Sequence, residues 1–203
     1  MAVSPTRVEA REAFLDAAER LLVDVGWADV TTRRLAQEAG LNHGLVHYYF
    51  GSMEEVLVEV LERFTARLIE RQRALYGGDE PFIEKWRTAM RYLDEDRSSG
   101  YQKVWFELQA LAWNRPALRE RVAHVNAEWR LVLTEALSAA MQAYGLDRRR
   151  LPVDAVVSLV ITFNEGIMLE RLSSITEGHD NLLQTIDRWL SSLEAEKRKK
   201  NGS

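Results

Sequence analysis

What this 203-residue chain lacks narrows its reading before any motif does. It has no cysteine, which removes a disulfide framework, a thiolate zinc site and a thiol nucleophile. No stretch approaches the roughly 18 consecutive apolar residues of a membrane-spanning helix. The opening MAVSPTRVEAREAF is charged and has no apolar centre of the signal-peptide kind. The expectation is a cytoplasmic protein with no membrane partner. There is no Gly-rich phosphate loop, no G-x-S-x-G and no Glu-x-x-His pair. Ser, His and Asp are scattered without a pattern, so no catalytic residue, cofactor or metal site is assigned. A basic excess is missing too, the formal net charge being −4. What remains is 46% hydrophobic and 29% charged, the balance of a folded globular protein.

The most informative stretch is residues 31–50, TTRRLAQEAGLNHGLVHYYF. Thr31 or Thr32 supplies an N-cap hydroxyl. Leu35, Ala36 and Ala39 give a short helix its apolar face, and Gly40 stops it by reaching the left-handed conformation freely. Asn42 can cap a second short helix over 43–49, with Val46 and Phe50 on its inner face. Two short helices joined by a glycine turn describe a helix-turn-helix, whose second helix enters the DNA major groove. Gly44 allows close backbone approach, while His43, Leu45, His47, Tyr48 and Tyr49 offer donors, acceptors and an apolar contact. An ordinary surface helix whose aromatic rings prop up a neighbour is the bland alternative, and the number of coinciding signals outweighs it. His43 and His47 share a face at a spacing that suits a metal. No cysteine or carboxylate lies near to complete such a site, so DNA contact is the better reading.

The order Thr-Thr-Arg, Leu-Ala, Ala-Gly and a closing aromatic run, followed by a Glu-rich helix start, resembles the DNA-binding region of TetR-family transcriptional regulators. The resemblance covers about residues 8–61. It implies an all-helical homodimer with a small N-terminal DNA-binding domain and a larger ligand-binding domain. Gly51 and Met53 stand where that family often carries lysine, which removes one phosphate contact. His47 stands where tyrosine is common, so the base preference does not carry over.

Charge is the objection to a DNA partner. Residues 1–51 hold five arginines against seven acidic residues. The face that matters presents Arg33, Arg34, Asn42, His43 and His47, with Glu38 opposing. Affinity is therefore expected to lean on dimerisation and on few phosphate contacts.

The rest of the chain reads as helices, about nine in all, and its four prolines stand where helices begin. Ser4-Pro5 opens the first, carrying Phe14, Ala18, Leu21, Leu22 and Val25 until Gly26. Trp27 is expected in the core. Ser52 caps a fourth helix that runs to Tyr76, long enough to connect two domains. Asp79-Glu80-Pro81 opens the next, Ser98 to Gly100 break it, and Asn114-Arg115-Pro116 start a long one ending at Tyr144-Gly145. The segment VDAVVSLVITF after Leu151-Pro152 is β-branched enough to suggest a strand. No second strand exists to pair with it, so it is predicted as a buried helix. The last helix is expected over about 181–197, followed by a solvated basic tail to Lys200.

The fold class expected is all-α, with a helix-turn-helix domain over 1–51 and a helical ligand-binding and dimerisation domain over 52–203. The helix over 52–76 connects the two. The function expected is a DNA-binding transcriptional regulator, a homodimeric repressor released from a near-palindromic double-stranded operator by an apolar or amphipathic small molecule. The DNA contacts assigned are Thr32, Arg33, Asn42, His43, Gly44, Leu45, His47, Tyr48 and Tyr49. The ligand contacts are Trp86, Met90, Trp105, Gln109, Trp113, Trp129, Phe163, Asn164 and Met168, with Glu107 as a further polar candidate. Asn164, Glu165 and Gly166 interrupt an apolar helix, which close packing or pocket space explains. Val156, Val160, Ile186, Trp189, Leu190 and Leu193 are assigned to the dimer interface. The competing class is a helical-bundle carrier or enzyme with a vestigial helix-turn-helix.

Overall fold

Thr6 begins the first helix, α1 (Arg7–Val25), by a reciprocal cap: its hydroxyl accepts from the Glu9 amide at 3.3 Å, and the Glu9 carboxylate accepts from the Thr6 amide at 2.7 Å. This computed structural model describes residues 6–201, so the expected Ser4-Pro5 helix start lies outside the described residues. Among the described residues there are nine α-helices, one short 3-10 turn and no strand.

Helix α1 (Arg7–Val25) ends at Gly26, whose φ of 78° needs glycine. The 3-10 turn Trp27–Asp29 leads into α2 (Thr32–Ala39) and α3 (Gly44–Phe50). Then come α4 (Met53–Gly77), α5 (Phe82–Ser98), α6 (Tyr101–Ala112) and α7 (Pro116–Ala143). Helix α8 (Val153–Leu172) holds the β-branched segment, helical as expected, and α9 spans His179–Asn201. Helix α9 starts two residues earlier than its apolar pattern suggested and takes in the basic tail. The cause is local: no breaker precedes Asn201, and Arg198, Lys199 and Lys200 suit the negative end of a helix.

Two compact units result. The first joins the chain up to Arg67 with Asp96–Val125, so it holds α1 to α3, α4 as far as Arg67, the end of α5, α6 and the start of α7. Phe14, Leu35, Val46, Val56, Leu57 and Leu108 are completely buried in its core. The second joins Leu68–Glu95 with the chain from Asn126 onward. It is held by one cluster around Leu133, Leu137, Val157 and Ile161 and another around Ile83, Tyr144 and Leu190. Within it Arg87 on α5 grips Asp187 on α9 with two bonds of 2.7 and 3.0 Å.

Candidate nucleic-acid interface

Local chemistry sets the helix-turn-helix. The Thr31 hydroxyl accepts from the Arg34 amide at 3.2 Å and starts α2. Gly40, left-handed at φ 68°, ends it; its amide reaches Gln37 O while the Leu41 amide reaches Ala36 O at 2.9 Å. That pair of bonds satisfies two orphan carbonyls and turns the chain toward α3. The Asn42 side-chain oxygen accepts from the Gly44 amide at 2.9 Å, so Asn42 is spent as a cap. Helix α3 starts at Gly44, one residue later than expected, with His43 in its N-cap position. Val46 and Phe50 are buried and fix the helix to the core.

The other side of α3 is open. His43, Gly44, His47 and Tyr48 are exposed, as are Arg33 and Arg34 on α2, and Thr32 is half-buried. Leu45 and Tyr49 are half-buried and pack on the core of the first unit. Tyr49 leans on Phe14 at 6.2 Å between ring centroids, and Tyr48 meets Tyr49 edge-on at 5.1 Å. The core thereby orients the exposed ring of Tyr48. His47 donates from Nδ1 to the Gly51 carbonyl at 3.1 Å, closing the last turn of α3. This leaves Nε2 of the exposed ring for a partner.

Ion pairs change the charge balance read from the sequence. Glu38, the acid opposing the presented face, is held by Arg20 at 2.8 Å. Glu12, Asp16 and Glu19 are gathered by Arg63, and Glu19 also by Arg67, both on α4. Arg33 and Arg34 have no such partner among the described residues. Sequence reasoning missed Arg7, whose guanidinium carbon lies 5.7 Å from the Tyr48 ring centroid. No local pattern links residues 41 positions apart, so only the folded chain reveals the pair.

The expected ligand residues divide between the units. Trp105, Gln109 and Trp113 belong to the first, where Trp105 is buried against Tyr101 and Trp113 is 72% exposed. Trp86, Met90, Trp129, Phe163, Asn164 and Met168 belong to the second. There Trp86 and Trp129 pack against its hydrophobic clusters. The Asn164 side-chain oxygen is buried without a hydrogen-bond partner among the described residues, as is that of Gln72. Burial pushes the phenol of Tyr76, stacked on Phe82, up to about 12. Glu107 accepts the Trp27 backbone amide, and burial raises its carboxyl above the ordinary value against the pull of that bond. Gly166 is exposed, and a side chain there would meet nothing among the described residues, so packing within the chain does not explain it.

The expected interface residues are placed unevenly as well. Leu190 is 5% exposed, inside the core of its own unit, and Val156, Val160, Ile186 and Leu193 pack against the same two clusters. Trp189 is 50% exposed. A helical period marks an apolar stripe without saying whether it faces the chain's own core or a partner.

Comparison with known proteins agrees with this geometry. The family described as "Bacterial regulatory proteins, tetR family" matches residues 14–60. The one described as "BetI-type transcriptional repressor, C-terminal" matches residues 88–194. The transcriptional regulator BetI of Stenotrophomonas maltophilia is 29% identical over 57% of this chain and 59% of its own length. The chain thus spans about three fifths of the BetI relative it matches. EthR of Mycobacterium tuberculosis is 26% identical over 96% of this chain and 91% of its own. A transcriptional regulator from Saccharomonospora viridis, solved in complex with choline, shares the fold with a TM-score of 0.74. It is 20% identical over 91% of this chain and 97% of its own. These families and relatives are regulators of transcription, not enzymes.

Proposed function

This chain belongs to the TetR family of bacterial transcriptional regulators, and from that premise we propose that it is a homodimeric repressor released from a near-palindromic operator by a small molecule. The open side of α3, held by buried Val46 and Phe50 with exposed Arg33 and Arg34 beside it, is the observation that carries the reading. On this reading residues 1–51 bind DNA, and the helices from 52 onward, beginning with the connecting helix over 52–76, bind the effector and pair the protomers. Arg33, His43, Leu45 and His47 read base edges; Thr32, Tyr48, Tyr49 and the backbone at Gly44 hold phosphates, with Asn42 shaping the approach. Such a protein works in the cytoplasm.

An exposed apolar stripe on each of α8 and α9 supports pairing. Leu159 and Leu169, 67% and 53% exposed, flank exposed Gly166 on α8, and Trp189 follows Leu182 on α9. A glycine on such a stripe lets a second helix come close. The effector belongs with the aromatic residues of the second unit, where the unpartnered oxygens of Gln72 and Asn164 call for a donor. The choline held by the Saccharomonospora viridis neighbour supports an amphipathic molecule of small size, since aromatic faces attract quaternary ammonium groups. The effector releases DNA by binding more tightly to a conformer whose two α3 helices no longer match the operator.

Selection of bound duplexes from a random pool, followed by gel shift, tests the proposal. An enriched inverted repeat with half-sites about 34–36 Å apart, or a multiple of that, is expected. No enrichment and no shift would overturn it. Screening metabolites for release of the enriched duplex then identifies the effector.

A further inference from the structure

We propose that Arg7 is a DNA-backbone contact of this protein, forming with Tyr48 a two-residue phosphate clamp beside α3. The inference rests on the DNA-binding reading above and adds to it a residue from outside the helix-turn-helix.

A ladder of rings builds the clamp. Phe14, completely buried, meets Tyr49 at 6.2 Å; Tyr49 meets Tyr48 at 5.1 Å; and the Arg7 guanidinium lies over the Tyr48 ring at 5.7 Å. Each rung orients the next, from the core out to an exposed cation. The first turn of α1 is anchored by the Thr6–Glu9 cap, so the backbone under Arg7 is fixed.

Charge accounting leaves this arginine unspent. Arg11, one turn along α1, lies over the Phe50 ring and is paired with Glu59. Glu9 directs its carboxylate to the Thr6 amide, which holds its pKa below the ordinary value. Arg20 is committed to Glu38. Arg7 has no anionic partner among the described residues, and neither its guanidinium nor the Tyr48 hydroxyl has a hydrogen-bond partner there. Stacking engages the face of a guanidinium and leaves its N–H edges free, the donor fork that matches two phosphate oxygens. The Tyr48 hydroxyl adds a further donor at the same place. A cation exposed at this position and already oriented by a recognition-helix residue is suited to the DNA backbone rather than to a base edge, because its support comes from α1, outside the helix that enters the groove.

Salt dependence provides the test, since each phosphate neutralised contributes about −0.9 to the slope of log K against log salt on duplex DNA. Full-length protein and Arg7→Gln are titrated onto the duplex enriched from the random pool, and onto a duplex of unrelated sequence, by fluorescence anisotropy at several salt concentrations. The expected result is weaker binding to both duplexes, with the slope shallower by about 0.9 for each bound protomer. Arg7→Lys should keep the slope. Circular dichroism of all three proteins should agree. A loss of affinity that is equal at every salt concentration would mean that Arg7 only packs against Tyr48, and would overturn the contact. So would wild-type affinity and slope in Arg7→Gln. Wild-type protein that binds neither duplex overturns the DNA-binding reading and the clamp with it.

Discussion

Glu107 on α6 accepts the backbone amide of Trp27 on both carboxylate oxygens, at 3.0 and 3.3 Å, across 80 residues of sequence. One turn earlier on the same helix, Lys103 donates to the Val23 carbonyl at 3.1 Å, satisfying an orphan acceptor in the last turn of α1. Helix α6 therefore holds the corner through which α1 passes to the helix-turn-helix, entirely within the first unit.

Removing that grip should cost stability. Glu107→Ala leaves the Trp27 amide without its acceptor, at about 1–3 kcal/mol, read by urea denaturation. Glu107→Gln keeps an acceptor and should lose less. Burial raises the folded-state pKa of Glu107, so the folded chain binds a proton more readily than the unfolded one. The stability of the wild type relative to Glu107→Gln should be greatest below the ordinary carboxylate pKa and decline as pH rises through the raised value. A pH-independent difference would count against a desolvated carboxylate at this corner.

The second unit should show the opposite sign. Arg87 holds the Asp187 carboxyl below its usual pKa, so the pair stabilises above the ordinary carboxylate range and is lost as pH falls through the depressed value. Wild-type protein should melt higher than Asp187→Asn at neutral pH, and the two should converge in acid. Both side chains are partly exposed, so the neutral-pH gap should shrink at high salt.

On the DNA face, Tyr48→Ala should weaken operator binding while helicity and assembly persist, because the exposed ring supports no buried neighbour. Arg33→Ala should relax preference at one base pair by about 1–3 kcal/mol, whereas Thr32→Ala should weaken all sequences alike. A uniform loss from both changes would remove Arg33 from base reading.

The proposed pairing is best tested where the chain leaves apolar surface open. Leu159→Arg, at a residue 67% exposed in the single chain, should yield monomers in sedimentation and abolish specific binding, with helicity unchanged. Leu190→Arg should instead lower the melting temperature, because Leu190 fills the chain's own core. Dimers that persist in Leu159→Arg would exclude this face.

Much was decided by the sequence alone, because the signals lie within one turn of what they control. Thr31, one of two adjacent cap candidates, and Ser52 place hydroxyls where amides three residues on need acceptors, Gly26 and Gly40 take the positive φ that ends a helix, and Pro116 begins one. Helical periodicity carried the all-α class and the inward set of α1, and residue order carried the family resemblance. Tertiary structure decided what couples distant residues. It divided the tryptophans between two units, turned Leu190 inward and Trp189 outward on one stripe, bound Glu107 to Trp27 and set Arg7 on Tyr48. Residue type and period fix that a side chain is apolar or charged and which side of its helix it occupies; which neighbour meets that side depends on how the helices pack, and no local pattern records it.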